Sequence, residues 1–114
     1  MKGSMITIRP GDDQLTAVNF DRPLTLEQLK AGLDEGYLEA VPMFNTIAVE
    51  GVVHRCVAFC DEDGIRKELP VNMLATDLWL AACGRAGMRS LPQDYGLLGP
   101  VVIVYGDQEF MAEL

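Results

Sequence analysis

Hydrophobic and polar positions alternate with period two from Met5 to Arg9 and again from Leu15 to Phe20. The turn cluster Pro10-Gly11-Asp12-Asp13 lies between them, so the pattern predicts two short strands paired as a hairpin. Asp21-Arg22-Pro23 then breaks the strand, and the period lengthens to that of a helix. Leu26, Leu29 and Leu33 recur on one helical face. Thr25 with Gln28 forms a capping box at its start, Leu24 and Leu29 sit where a hydrophobic staple would, and Gly36 reads as the C-terminal cap.

Period two returns over Tyr37–Val41, Thr46–Glu50 and Val52–Cys60, with Gly51 as a turn or bulge. Asp61-Glu62-Asp63-Gly64 is a strong turn signal, and Ile65–Leu69 reads as a short returning strand. A second helix starts at Asn72 and ends near Cys83, before Gly84. It is apolar almost all round and should be largely buried. Arg85 to Gly99 reads as a loop. Val101–Tyr105 is a continuous β-branched run, the mark of a central strand. Strands arrive in blocks, not in alternation with helices. This predicts an α+β fold: a mostly antiparallel sheet of about five to six strands with two helices packed on one face. The length fits a single domain over 1–114, and Met1-Lys2-Gly3-Ser4 reads as a cloning remnant ahead of Met5.

Composition narrows the function. Seventeen acidic residues oppose nine basic ones, for a formal charge of -8. Scattered cations in an acidic chain argue against nucleic-acid binding, which needs clustered Lys and Arg. The acids are spread singly, so solubility is a sufficient reason for them. No apolar run reaches the ~20 residues that span a bilayer, and no signal-peptide h-region follows the start. The expected location is cytoplasmic. Three cysteines, Cys56, Cys60 and Cys83, make no disulfide framework and are expected as free thiols.

The segments Tyr37-Leu38-Glu39-Ala40-Val41, Leu69-Pro70-Val71-Asn72-Met73-Leu74-Ala75 and Gly99-Pro100-Val101-Val102-Ile103-Val104 carry a resemblance. From Gly36 onward the chain resembles a family of small bacteriophage and mobile-element proteins of unknown function. Those proteins share a Tyr-(Ile/Leu)-Glu-x-Val strand, a Leu-Pro-x-Asn-x-x-Ala segment and a late Gly-x-Val-Val-Val strand. The chain departs from that pattern between Met43 and Cys60 and again from Arg85 to Leu98. The resemblance implies an accessory protein of a mobile element and transfers no catalytic residue.

Candidate chemistry is sparse. His54, Cys56 and Cys60 share one strand face, and Cys83 is the fourth zinc-type side chain. Cys56 and Cys60 would lie more than ~10 Å apart along a strand, too far for one ion. No metal site and no cofactor is therefore expected. His54 and Cys56 also lack an orienting third group for nucleophilic catalysis. Asp61-x-Asp63-Gly64 resembles the start of a calcium loop, but Asn72 stands where the closing acid belongs. Asn72 reads first as a helix cap, contributing about 1 kcal/mol, and second as a side chain presented at a pocket. The long loop is the better functional surface, because it carries Arg85, Met88, Arg89, Leu91 and Tyr95, residue types suited to an interface. The sequence thus points to a non-enzymatic protein that binds another protein or a second copy of itself. The alternative is a small-molecule binder or minor enzyme with a pocket near Asn72 and Trp79.

Overall fold

The computed structural model describes residues 1–88 and 96–114. Its strands are β1 (Gly3–Ile8), β2 (Ala17–Phe20), β3 (Leu38–Ala40), β4 (Thr46–Val49), β5 (Val52–Asp61) and β6 (Val101–Gly106); its helices are α1 (Leu26–Gly32), α2 (Met73–Arg85) and α3 (Gln108–Met111). The strands form one antiparallel sheet in the order β2-β1-β6-β5-β3, and β4 also pairs with β5. This is the α+β sheet that the strand blocks predict.

β3 and β4 follow one another along the same side of β5. Leu38–Ala40 pair with Phe59–Asp61, and Thr46–Val49 pair with Val52–Arg55. Between these ladders, residues 41–45 face only 56–58, so the edge carries a wide bulge at Pro42. The β4–β5 hairpin closes on Glu50 and Gly51, both with positive φ (50° and 81°). That is the signature of a type I′ turn, which the strand twist favours.

The helices do not share a face as expected. Val101 and Ile103 of β6 pack with Ile6, Ile8 and the α2 residues Ala75, Trp79, Ala82 and Cys83. Val102 and Val104 point the other way, against Leu29 and Leu33 from the α1 segment and Phe110 of α3. All four β6 valine and isoleucine side chains have 0 % exposure. A strand that is apolar at every position needs cover on both faces, and that is why the helices separate. Each fully buried side chain of this size contributes roughly 1.5–3 kcal/mol.

Other expectations resolve locally. The Thr25–Gln28 capping box forms, but α1 ends at Gly32, and Asp34 and Glu35 take the left-handed positions instead of Gly36. Gly36 has a different constraint: a Cβ there would lie 2.5 Å from the Asp61 carboxylate. Ile65–Leu69 is not a strand. Residues 62–68 wind into successive turns, with the Lys67 N–H donating to the Asp63 carbonyl and Leu69 N–H to Gly64 (2.9 and 3.0 Å). The Asp61 side chain starts these turns by accepting from the Asp63 N–H (2.9 Å), a local bond that competes with strand pairing. α2 runs two residues past Cys83, through Gly84. Gly3 and Ser4 are buried within β1, Gly3 beneath the Phe110 ring.

Candidate functional site

The residues singled out from sequence separate into three groups. Asn72 is fully buried and is not presented to a ligand. Its Oδ1 accepts from the Ala75 N–H (3.1 Å), and its Nδ2 donates to the Ile8 and Gly99 carbonyls (2.8 and 2.9 Å). It caps α2 and ties that end to β1 and to the approach to β6. Trp79 is likewise committed to structure, with its indole N–H donating to the Pro42 carbonyl (2.8 Å) across the bulge. Arg85 reaches β4, donating from Nε to Thr46 Oγ1 (2.9 Å) and from Nη2 to the Thr46 carbonyl (3.2 Å). Met88 packs half-buried against the α2-side core. Arg89, Leu91 and Tyr95 lie outside the described residues.

The described end of the late loop does line a cleft. Gly96, Leu97 and Leu98 meet the 62–71 segment around a cavity of about 420 Å³, with Ile65, Val71, Glu39 and Glu62 completing its walls and lip. Val71 and Leu98 form a β-bridge, and the Gly99 N–H donates to the Pro70 carbonyl (2.7 Å). Neighbours of Asn72 thus shape this cleft, while Asn72 itself lies behind it.

The turn beside the cleft is fixed by charge. Lys67 Nζ lies 2.7 Å from Asp61 Oδ2, and Arg66 lies 2.9 Å from Asp63. Burial pushes the Asp61 carboxyl up. The Lys67 hydrogen bond, the Asp63 N–H and the nearby cations outweigh this and hold it below the usual carboxylate range. The turn in turn holds Ile65 out at 78 % exposure, with Val71 at 47 %. Glu39 and Glu62 form no ion pair among the described residues. The result is an apolar floor with an acidic lip.

A second cleft, of about 880 Å³, lies on the α2 side of the sheet beyond the helix. Ser4, Asn19, His54 and Tyr105 line it. The His54 and Tyr105 rings stack with centroids 4.6 Å apart, and Ser4 Oγ donates to Asn19 Oδ1 (2.8 Å). Neither cleft is lined by Asn72 or Trp79.

The Cys56 and Cys60 thiols are held neutral. Burial pushes Cys56 up to about 12, against a smaller opposing effect of Arg85; burial first, then Glu39 and Asp61, push Cys60 up to about 11. A neutral thiol is a poor nucleophile and a poor metal ligand. Among the described residues, no three His, Cys, Asp or Glu side chains converge on a point. No helix among them is long and apolar enough to cross a membrane. Compared with protein-family models, curated proteins and solved structures, the chain matches none.

Sequence reasoning did not single out Ile65, Val71 or Glu62 for this cleft. The usable signal was Ile65 itself, a lone β-branched residue inside the charged turn Asp61–Glu68. A strand assignment hid it.

Proposed function

We propose that this is a non-enzymatic accessory protein of a phage or other mobile element that acts by binding another protein, and that the 62–71/96–98 cleft is the contact surface. The exposure of Ile65 on a turn braced by two ion pairs carries this reading. Ile65 does not stand alone: Val71, Leu97 and Leu98 line the same cleft, and a contiguous apolar surface of this kind marks an interaction site. The lip carboxylates Glu39 and Glu62 select a segment that places Leu, Ile or Met beside Lys or Arg, and they disfavour nucleic acid. The resemblance to mobile-element proteins is the reason for the accessory role, with a host protein as the partner.

A direct test uses the probe peptide acetyl-Lys-Arg-Leu-Leu-Arg-Lys-amide, followed by amide NMR. Saturable shifts are expected at Ile65, Val71 and Leu98, weakening as salt rises. They should be lost in Ile65→Ser and fall several-fold in Glu39→Gln/Glu62→Gln. Shifts confined to other surfaces would contradict the assignment.

The larger cleft supports a second reading as a small-molecule site. Tyr105 and His54 make no side-chain hydrogen bond to protein among the described residues, so both leave solvent-facing polar groups at it. A fragment screen read on the Asn19 and Tyr105 amides tests this. Hits there support it, and hits confined elsewhere or absent oppose it.

A further inference from the structure

The two edges of the sheet are treated differently. The β3–β4 edge is short, carries Pro42, is broken by the 41–45 bulge and is capped at Thr46 by Arg85. These are devices that block further strand pairing. β2 is also short, at four residues, but has none of the others. Ala17-Val18-Asn19-Phe20 contains no charge, proline or bulge, pairs among the described residues only with β1, and is exposed over its first three residues.

The register shows which backbone groups are free. Both backbone polar groups of Lys2 are directed at β6: its carbonyl accepts from the Asp107 N–H (2.9 Å), and its N–H donates to the Asp107 carboxylate (2.7 Å). In an antiparallel ladder the direction alternates along the strand, so Gly3 and Met5 face β2. Their partners Phe20 and Val18 face β1 in return. The N–H and C=O groups of Ala17 and Asn19 therefore point outward.

We propose that β2 pairs antiparallel with β2 of a second copy, about a two-fold axis through Val18. This register sets Ala17 opposite Asn19 of the partner, and both residues present outward backbone pairs, so each half of the contact is satisfied by the other. It places the two Val18 side chains directly opposite in a non-hydrogen-bonded pair, which covers residues that are 53 % exposed in the single chain. The sheet order puts β2 and β3 at opposite ends. The dimer then leaves both 62–71 clefts open and facing away from the axis, which makes it bivalent.

Native mass spectrometry and light scattering across about 5–500 μM would show a species of twice the 12.5 kDa chain mass that grows with concentration. Salt should strengthen it, because each copy carries -8. Ala17→Pro removes an outward N–H that β1 does not use, so it should return the protein to monomer and leave the melting temperature unchanged at concentrations where the parent is itself monomeric. Val18→Cys should form an intermolecular disulfide on mild oxidation, while Val52→Cys, equally exposed on the far hairpin, should not. A monomer at every concentration, with no Val18→Cys cross-link, overturns the proposal. A dimer that survives Ala17→Pro and fails to cross-link at position 18 overturns it as well.

Discussion

Asn72 shows how much one side chain can carry. A cap alone contributes about 1 kcal/mol. Here the same amide also satisfies two buried carbonyls, those of Ile8 and Gly99. Leaving buried acceptors unpaired costs about 1–3 kcal/mol more. Asn72→Ala should therefore destabilise by about 2–4 kcal/mol in urea denaturation. Asn72→Asp keeps the cap acceptor but turns a carboxylate onto those carbonyls, and should be no better at pH 7. If Asn72→Asp matched the parent, the two carbonyl bonds would not matter. The cap is visible in the sequence, because Asn precedes an apolar helical run. The other two bonds are not, because they join residues 64 and 27 positions apart.

At the scale of elements, the local signals were the reliable ones. The Thr25–Gln28 box formed as read, and so did the β4–β5 hairpin around Glu50-Gly51; of the α1 stripe, Leu29 and Leu33 reach the core, whereas Leu26, in the first turn, stays 58 % exposed. Glu50 is a poor residue for a position with positive φ (50°), where Asn is preferred. Glu50→Asn should stabilise by about 0.5–1 kcal/mol, read as a higher melting temperature. The 62–68 turn was misread because Ile65 looks like strand sequence. The deciding interactions, the Asp61 carboxylate with Lys67 and with the Asp63 N–H, span only six and two residues but leave no mark on hydrophobic periodicity. Lys67→Met leaves that buried carboxylate without its cation and should cost about 2 kcal/mol. It should also raise the Asp61 pKa, which carboxylate NMR titration measures directly. The placement of the helices was implicit in Val101–Val104, since four successive buried positions demand two covered faces. α3 went unread because its four residues are too few to show a period.

For the whole molecule, titration bounds the pH range of stability. Cys56 and Cys60 ionise near 9 when unfolded but only near about 12 and about 11 in the fold. Above pH 9 the unfolded chain releases protons that the folded chain retains, so stability falls as pH rises through that window. Asp61 acts at the acid end. Its folded pKa is lowered, so its contribution is present above the unfolded value of 3.8 and is lost as pH falls below it. Melting temperatures from pH 3 to pH 11 should trace both losses, and Cys56→Ala should flatten the alkaline one. The proposed contact surface was the least legible feature of the sequence. Its parts come from β3, the 62–71 segment and the late loop, and only the fold brings Glu39, Ile65 and Leu98 to one rim. The most direct measurement of that surface is selection from a random displayed-peptide library against the parent protein and against Ile65→Ser. The account expects the parent alone to enrich peptides that set Leu, Ile or Met beside Lys or Arg. No enrichment, or equal enrichment on Ile65→Ser, would contradict it.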